Sequence, residues 1–274
     1  MCLNIMEILC HYTKCETAIK ILEELSLRFG KISNSNDPIE IKNMKFQYSG
    51  SDDATYKMIS DNLNDYLNSI LSLISFSHGE YSFDENFYDE NISHSLHDLK
   101  IRPPFYLPRM WTLYAENHSG VCFVLKKNDF LNNAMDFLKD SYHFSHDTVD
   151  YSDFVTDDTL KEMSDSYDID EKILQEYRPK ETIQKYLEEH AEFNYFNKDR
   201  DWDDEHEYRF LIWNKKNNLD FKEKYVKIKK SLYAIVLGLN HDLHNSKIVE
   251  IAMNKNIEIF KLDFDGQIFF SKVE

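Results

Sequence analysis

The pattern of hydrophobic and polar residues near the N-terminus predicts a strand followed by a helix. Residues 8–12 form a short apolar run that is typical of a buried strand. Thr13 and Glu16 have the spacing of a capping box, which indicates that a helix begins directly after the strand. The residues that this helix would bury on one face are Ala18, Ile21, Leu22 and Leu25.

The next part of the chain shows two periodicities and then one long irregular stretch. Apolar residues at helical spacing predict a second helix from about residue 53 to residue 70. Residues 72–77 alternate between polar and apolar, which predicts a half-buried strand. Its two faces would carry Ile74 and Phe76 on one side and Ser75 and Ser77 on the other. Residues 79–108 have no regular pattern and are predicted to form a long loop.

Strands and helices follow one another without a regular alternation in the C-terminal half. The predicted helices are residues 109–116, 130–138 and 247–254, and the predicted strands are residues 121–125, 148–151, 206–213, 224–228, 232–239, 257–262 and 267–272. Residues 157–198 are charged, helical in pattern and without a strand signal, so they are expected to form a helical insertion. The expected fold is α+β, with a split or mainly antiparallel sheet and flanking helices in a single domain of residues 1–274.

Composition narrows the class of protein. The net charge of -17 repels phosphate backbones, which excludes a general nucleic-acid coat, and it also disfavours anionic membrane surfaces. The four cysteines form no C-x-x-C pair, and the first residues lack the basic and apolar segments of a signal peptide. These features predict a soluble, reduced protein of the cytoplasm.

Four short motifs occur in order along the chain. They are Cys10-His11-Tyr12-Thr13, Asn36-Asp37-Pro38, Met110-Trp111-Thr112-Leu113-Tyr114-Ala115, and Trp202-Asp203-Asp204-Glu205-His206-Glu207-Tyr208-Arg209. Together they resemble a bacterial family catalogued as domain of unknown function 2971. Members of that family carry a similar HYT strand, NDP turn, MWxxYAxxHxGVC block and ExEYR strand, and the resemblance spans residues 11–238.

The order of the motifs is also similar to that of the ADP-ribosyltransferase superfamily. Proteins of that superfamily place a His or Arg on the first strand, a Tyr or a Ser-x-Ser segment in the middle and a Glu on a late strand. This resemblance implies an ADP-ribosyltransferase-like sheet, NAD as the substrate and transfer of ADP-ribose. The residues at the matching positions are His11, Ser75, Ser77, Tyr114 and Glu207.

The proposed chemistry needs a carboxylate beside a sugar. Cleavage of the nicotinamide–ribose bond passes through an oxocarbenium-like sugar, which a carboxylate can stabilise. Glu207 is the candidate for that role, and by resemblance Glu205, expected on the same face of a strand, would orient the acceptor. Arg209 would share this face and would lower the pKa of a carboxylate with which it pairs.

The remaining candidates would hold the cofactor. His11 would contact ribose hydroxyls, Tyr114 or Tyr12 would stack on nicotinamide, and Arg28 or Arg109 would neutralise the pyrophosphate. The complete set of cofactor-binding candidates is His11, Tyr12, Thr13, Arg28, Ser75, Ser77, Trp111 and Tyr114.

Each of these residues also has a structural interpretation. His11 could be a buried core histidine, and Trp111 could be a core anchor. Glu205, Glu207 and Arg209 could form an ion network at a sheet edge.

Two other kinds of site are open alternatives. The His-x-x-His pairs at His143 and His146, and at His241 and His244, could each supply two metal ligands, fewer than a zinc site needs. Cys10 or Cys15 with His11 would suggest a thiol nucleophile, although adjacent residues on a strand point apart. We therefore expect no metal.

The sequence leads to two main functional hypotheses. In the first, the protein transfers ADP-ribose from NAD to a protein or nucleic acid, as a bacterial toxin or anti-phage effector controlled by an antitoxin or regulatory protein. In the second, the same cleft belongs to a non-catalytic sensor that binds a nucleotide or a protein. A metal-dependent nuclease or hydrolase that uses the histidine pairs is a third possibility.

Overall fold

The computed structural model describes residues 6–34, 47–49, 61–62, 65–67, 69–81, 103–152, 168–170, 181, 183–185, 187–188, 195–215, 224–244, 246–264 and 268–273. The strands are β1 (Met6–Thr13), β2 (Ser26–Arg28), β3 (Gly30–Lys31), β4 (Gln47–Ser49), β5 (Ser72–Tyr81), β6 (Val121–Lys126), β7 (Tyr142–Thr148), β8 (Asp150–Ser152), β9 (Asp168–Asp170), β10 (Asn197–Asp199), β11 (Glu207–Asn214), β12 (Tyr225–Lys227), β13 (Leu232–Leu237), β14 (Glu258–Phe264) and β15 (Ile268–Lys272). The helices are α1 (Cys15–Glu24), α2 (Pro108–Tyr114), α3 (Lys127–Leu138) and α4 (Lys247–Asn254), with 3-10 turns at Ile32–Asn34 and Arg200–Glu205. The described residues within 61–70 and 181–188 are also helical.

A nine-stranded, mostly antiparallel sheet forms the centre of the fold. Eight strands follow the order β15-β14-β13-β6-β1-β5-β11-β7, and β3 adds to one end of β5. In this sheet β13 and β14 pair in parallel, joined through α4, and the other described pairs are antiparallel. β6 lies between β1 and β13, and its continuous apolar run, Val121 to Leu125, is buried on both sides.

The two faces of the sheet are covered differently. One face packs against α1, α3 and α4 in a single large apolar core that contains Phe123, Phe130 and Phe210. The opposite face carries two smaller apolar clusters, one around Trp111 and one around Trp213. The start of β11 lies at the boundary between these two clusters. Glu207 pairs with Ser77 of β5, which pairs in turn with Cys10 of the first cluster, whereas later β11 residues belong to the second.

The pairing along one edge of β5 changes partner. Residues 77–81 of β5 pair with β1, whereas Ser72 and Leu73 pair with β3. Neither ladder on this edge includes residues 74–76, which lie between the two partners. The sheet therefore opens at this point.

The structure confirms the coarse fold expected from the sequence and several elements in detail. The sheet is mostly antiparallel with flanking helices, and the predicted helix 247–254 coincides with α4. The predicted strands at 121–125, 206–213, 232–239, 257–262 and 267–272 overlap β6, β11, β13, β14 and β15.

Several local predictions were wrong for identifiable reasons. Thr13 is not the helix cap, because β1 continues through it and pairs it with Val121; the N-cap of α1 is Lys14, without a side-chain cap bond. Leu25 follows the helix in a left-handed conformation. Ser77 is fully buried rather than on a solvent-exposed face, because it lies between the buried residues Cys10 of β1 and Glu207 of β11.

Other differences concern strands with little apolar patterning. β7 has the sequence YHFSHDT, and the sequence predicted strand only from residue 148. The stretch 157–198 contains two short strands, β9 and most of β10, that its helical pattern did not predict. The predicted turn at Asn36-Asp37-Pro38, much of the helix 53–70 and most of the loop 79–108 lie outside the described residues. Among the described residues no helix is long and apolar enough to cross a membrane.

Candidate functional site

A cavity of about 670 Å³ lies where the sheet opens beside β5. Its walls come from both ends of the chain: β1, α1, β2 and β3 on one side, and α2, β10 and β11 on the other. The predicted site residues that line it are His11, Tyr12, Arg28, Ser75, Tyr114, Glu205 and Glu207. The imidazole and the late carboxylate, which are far apart in sequence, therefore lie on one cavity.

His11 closes the gap between β1 and β5. Its Nδ1 lies 3.2 Å from the backbone oxygen of Ser75. Because a carbonyl oxygen can only accept, this bond assigns the proton to Nδ1 and leaves Nε2 as an acceptor. Burial lowers the pKa of His11 despite the opposing effect of the Ser75 carbonyl, so the ring is neutral at neutral pH.

The two candidate carboxylates converge, although they do not share a strand as the sequence suggested. Glu205 ends the 3-10 turn Arg200–Glu205, and Glu207 begins β11. Between them His206 takes a left-handed conformation with φ of 45°. This turn in the backbone brings both side chains into the interior, where Glu205 is 2% exposed and Glu207 is 5% exposed.

The two carboxylates belong to a buried network of four charged groups. Arg209 donates from Nε to Glu207 Oε1 over 2.7 Å and from Nη2 to Glu207 Oε2 over 3.0 Å. Lys198 donates from Nζ to Glu205 Oε2 over 2.7 Å and to Glu207 Oε2 over 2.9 Å. Tyr114 donates its hydroxyl to Glu205 Oε1 over 2.9 Å. Two carboxylates and two cations thus form a formally neutral cluster.

The network determines the charge state of Glu207. Burial alone would raise the pKa of this carboxyl, but the charges of Arg209 and Lys198 and hydrogen bonds from Arg209 and Ser75 outweigh it. The result is a pKa lowered from the ordinary 4.5 to about 2. The sequence-based prediction that Arg209 pairs with a neighbouring carboxylate and lowers its pKa is confirmed, and Glu207 remains ionised at neutral pH.

Sequence reasoning missed Lys198 and Tyr151. Lys198 is 5% exposed and contacts both carboxylates, and the Tyr151 hydroxyl accepts a 2.9 Å hydrogen bond from the backbone N–H of Glu207. Lys198 stands just before the acidic stretch 199–207, and this position was the only sequence signal for it. Tyr151 has no such signal, because only tertiary folding brings β8 beside β10 and β11.

The structure separates the two arginine alternatives. Arg28 lines the cavity, whereas Arg109 donates to the backbone oxygen of Asp201 and lies 4.8 Å from the Trp202 ring centroid. Of these two alternatives, Arg28 is therefore the one that borders the cavity.

Four other candidates take structural positions. Trp111 is 1% exposed and donates to the backbone oxygen of Phe105, and Tyr12 packs edge-on against it at 5.1 Å. The Tyr12 hydroxyl donates to the backbone oxygen of Pro104 over 2.6 Å, so its ring points into the core although the residue borders the cavity. Thr13 and Ser77 are buried and, like Trp111, are not among the described residues that line the cavity.

The histidine pairs are poorly placed for metal binding. His143 pairs with Trp213 and His146 with Phe210, so the two rings lie on opposite faces of β7. Both ring nitrogens of His241 are engaged, at 2.7 Å from Ser119 O and 2.8 Å from Ser246 Oγ. Within the described ranges, no group of three or more His, Cys, Asp or Glu side chains gathers around a common point.

The thiol alternative is also unfavourable. Cys10 is buried in the core around Trp111, and Cys15 lies 3.8 Å from His241 rather than beside His11. Burial and the neighbouring Glu116 carboxylate raise the pKa of the Cys15 thiol, which keeps it protonated at neutral pH.

Comparison with known proteins adds a partial likeness to one family and no activity. No curated protein and no solved structure gives a significant match to the chain. Residues 110–210 match the model of a family described as "Protein of unknown function (DUF2971)". This match includes Tyr114, Lys198, Glu205, Glu207 and Arg209, and it supports the resemblance of the chain to that family.

Proposed function

We propose that the protein binds NAD in this cavity and acts as an ADP-ribosyltransferase-like enzyme. It would break the nicotinamide–ribose bond and transfer ADP-ribose to a macromolecular acceptor, a protein or a nucleic acid. The observation that carries the proposal is that His11, Tyr114, Glu205 and Glu207 all line one cavity at the opening of the sheet. Its volume of about 670 Å³ lies within the range of small-molecule sites.

The chemistry suits a carboxylate that stays ionised at neutral pH. When the bond between the ribose C1′ and the nicotinamide nitrogen breaks, its electron pair leaves with the nicotinamide, which departs as a neutral molecule. No general acid is required, and the positive charge that develops on the sugar needs an anion close by. Glu207, with a pKa of about 2, supplies a permanent negative charge. The acceptor then forms a bond to C1′ and releases its proton to solvent.

The other residues would bind and orient the substrate. The unprotonated Nε2 of His11 would accept a hydrogen bond from a ribose hydroxyl, and the ring of Tyr114 would stack on nicotinamide. Arg28 would meet the pyrophosphate, and Glu205 would orient the acceptor.

Nicotinamide release tests the proposal. The purified protein is incubated with NAD, and Glu207→Gln is compared with Glu258→Gln, an exposed glutamate on β14. We expect Glu207→Gln to release nicotinamide at least about 100-fold more slowly, and Glu258→Gln to behave like wild type. His11→Gln, which alters the other side of the cavity, is the second variant if Glu207→Gln does not fold. Equal rates for wild type and both site variants would rule out catalysis at this cavity.

A second candidate function is a non-catalytic nucleotide sensor, and one observation favours it. Arg209 and Lys198 already compensate the charges of Glu207 and Glu205, which reduces the field available to a cationic sugar. Titration calorimetry separates the two functions: a sensor binds NAD with a measurable heat but releases no nicotinamide.

The biological setting is part of the same proposal. An NAD-cleaving protein of this kind would serve as a toxin or anti-phage effector in the bacterial cytoplasm. An antitoxin or regulatory protein would hold it inactive, and the net charge of -17 would favour a basic partner. Co-purification of the chain with a basic protein from the same operon would support this setting.

A further inference from the structure

Lys198 occupies an unusual position for a lysine. It lies on β10, which pairs in parallel with β8, and its side chain is 5% exposed. The ammonium group contacts Glu205 and Glu207 and lies 4.9 Å from the centroid of the Trp202 ring. Lysine is seldom buried without a partner, because removing an ammonium group from water is costly.

Arg209 does not make Lys198 redundant. Arg209 already contacts both oxygens of Glu207, and it also donates to the backbone oxygen of Tyr195. The cation that contacts Glu205 is Lys198, at 2.7 Å. The lysine therefore connects the carboxylate of the 3-10 turn to the carboxylate of β11.

The surroundings of this carboxylate pair come from four elements. Within the described part of the chain, the charged and titratable groups that face it are Tyr114 from α2, Tyr151 from β8, Lys198 from β10 and Arg209 from β11. Two carboxylates that share a site repel each other, and one of them takes up a proton more readily when no cation lies between them. A single ammonium group that contacts one oxygen of each carboxylate offsets that repulsion.

We infer that Lys198 is a positioning residue that holds Glu205 against Glu207 and presents the two carboxylates to the cavity as a fixed pair of hydrogen-bond acceptors. A fixed pair of acceptors matches a substrate with two neighbouring hydroxyl donors, such as the diol of a ribose. This inference rests on the proposed function for its substrate, although the arrangement of the side chains does not depend on it.

The closing experiment compares three substitutions at one position. Lys198→Met removes the charge and the donors, Lys198→Gln keeps a neutral donor, and Lys198→Arg keeps the charge. The matched control is Lys127→Met, because Lys127 is a partly buried lysine that contacts one carboxylate, Glu7, away from the cavity. Thermal unfolding establishes which variants fold, and Lys198→Gln replaces Lys198→Met if the latter does not.

The first readout is the pH dependence of nicotinamide release between about pH 3 and about pH 7. We expect the rate of Lys198→Met to fall at least tenfold more than that of wild type as the pH decreases, because one carboxylate of the pair becomes protonated. Lys198→Arg is expected to restore much of the wild-type pH profile. The control variant Lys127→Met is expected to have the same pH profile as wild type. A Lys198→Met rate that runs parallel to wild type, or exceeds it, would overturn the inference.

The second readout does not depend on NAD. Carbon-13 spectra of the glutamate carboxyl groups identify Glu205 and Glu207 through Glu205→Gln and Glu207→Gln. The titration midpoint of the pair is expected to lie at least about two pH units higher in Lys198→Met than in wild type, as the tenfold fall in rate requires. If the midpoint shifts but no variant releases nicotinamide, the proposed function fails and the role of Lys198 stands. If the midpoint is unchanged, the inference about Lys198 fails, whatever the protein does with NAD.

Discussion

β6 and β11 are both inner strands of one sheet, yet they bury different chemistry. Residues Val121 to Leu125 of β6 are all apolar, and each is fully buried. β11 is equally buried from Glu207 to Trp213, but its first residues include Glu207 and Arg209. Burial in this sheet is therefore not the property that separates the two strands.

The difference between the two strands indicates that burial stabilises the folded state less at the start of β11 than along β6. Apolar side chains on β6 gain free energy by leaving water, whereas a buried ion pair recovers at best part of the desolvation cost of its charges. The charged residues of β11 lie at the boundary between two apolar clusters and on the wall of a cavity. A costly charged group beside a cavity is the pattern expected of a functional site rather than of a core.

The largest effect is expected from breaking the ion pair on one side only. Arg209→Met leaves Glu207 with Lys198 as its remaining cation and should lower the free energy of unfolding by about 3–5 kcal/mol. Adding Glu207→Leu should recover much of this loss, because a pair of apolar residues fills the same space without buried charge. Urea denaturation of the two single variants and the double variant measures the cycle. A double variant as unstable as the sum of the single variants would mean that the pair is kept for stability.

The next effect in size is a pH dependence of the unfolding free energy that arises from Glu207 on β11 and has no counterpart on β6. The pKa of Glu207 is about 2 in the folded chain and near 4.5 when unfolded, so its stabilisation is complete above about pH 4.5 and is lost as the pH falls towards 2. The loss should be about 3 kcal/mol. Denaturation curves of wild type and Glu207→Gln should differ less at low pH than at neutral pH. Glu258→Gln, on the exposed side of β14, should keep the wild-type dependence.

A smaller effect is expected at the edge of the network. Tyr114→Phe removes the 2.9 Å hydrogen bond to Glu205 and keeps the aromatic ring. Because hydrogen bonds to charged groups are stronger than neutral ones, we expect a loss of about 1.5 kcal/mol in unfolding free energy. Chemical denaturation gives the number, and Tyr142→Phe, on β7 away from the cavity, serves as the comparison. An unchanged stability would show that water replaces the Tyr114 hydroxyl.

The smallest effect is expected in the apolar half of the sheet. Ile235→Val on β13, where the side chain is fully buried, should cost about 0.5–1.5 kcal/mol through one lost methylene. The cost should be the same at low and neutral pH, because no titratable group is involved. A pH-dependent cost at Ile235 would contradict the separation between the two halves of the sheet.

Local patterns predicted elements where one periodicity was strong. The apolar run of β6 and the amphipathic face of α4 need no knowledge of neighbours, since each is set by side-chain spacing. β7 was largely missed because its residues are polar and partly exposed, and pairing with β11 holds it in the sheet. Thr13 was misread as a helix cap because a capping motif competes with a strand that extends through the same residue.

The candidate site divides in the same way. The residue types at His11, Tyr114, Glu205 and Glu207 were recognisable from motif order. The sequence also predicted that the two carboxylates lie close together, but on the assumption that both belong to one strand. They meet because His206 turns the backbone, not because both lie on one strand. Trp111 belonged to the same motif as Tyr114, yet Trp111 is buried and donates to the backbone oxygen of Phe105, whereas Tyr114 reaches Glu205 and lines the cavity.

Residue order alone gave most of the candidate site residues, the mainly antiparallel architecture and the acidic character of the chain, because these depend on composition and short-range spacing. Long-range folding assembled the cavity and placed Arg28, rather than Arg109, on its wall. It also brought Lys198 between two carboxylates. A buried charge is tolerated only where an opposite charge meets it at hydrogen-bond distance, and that distance is a property of the packed chain, invisible in the order of its residues.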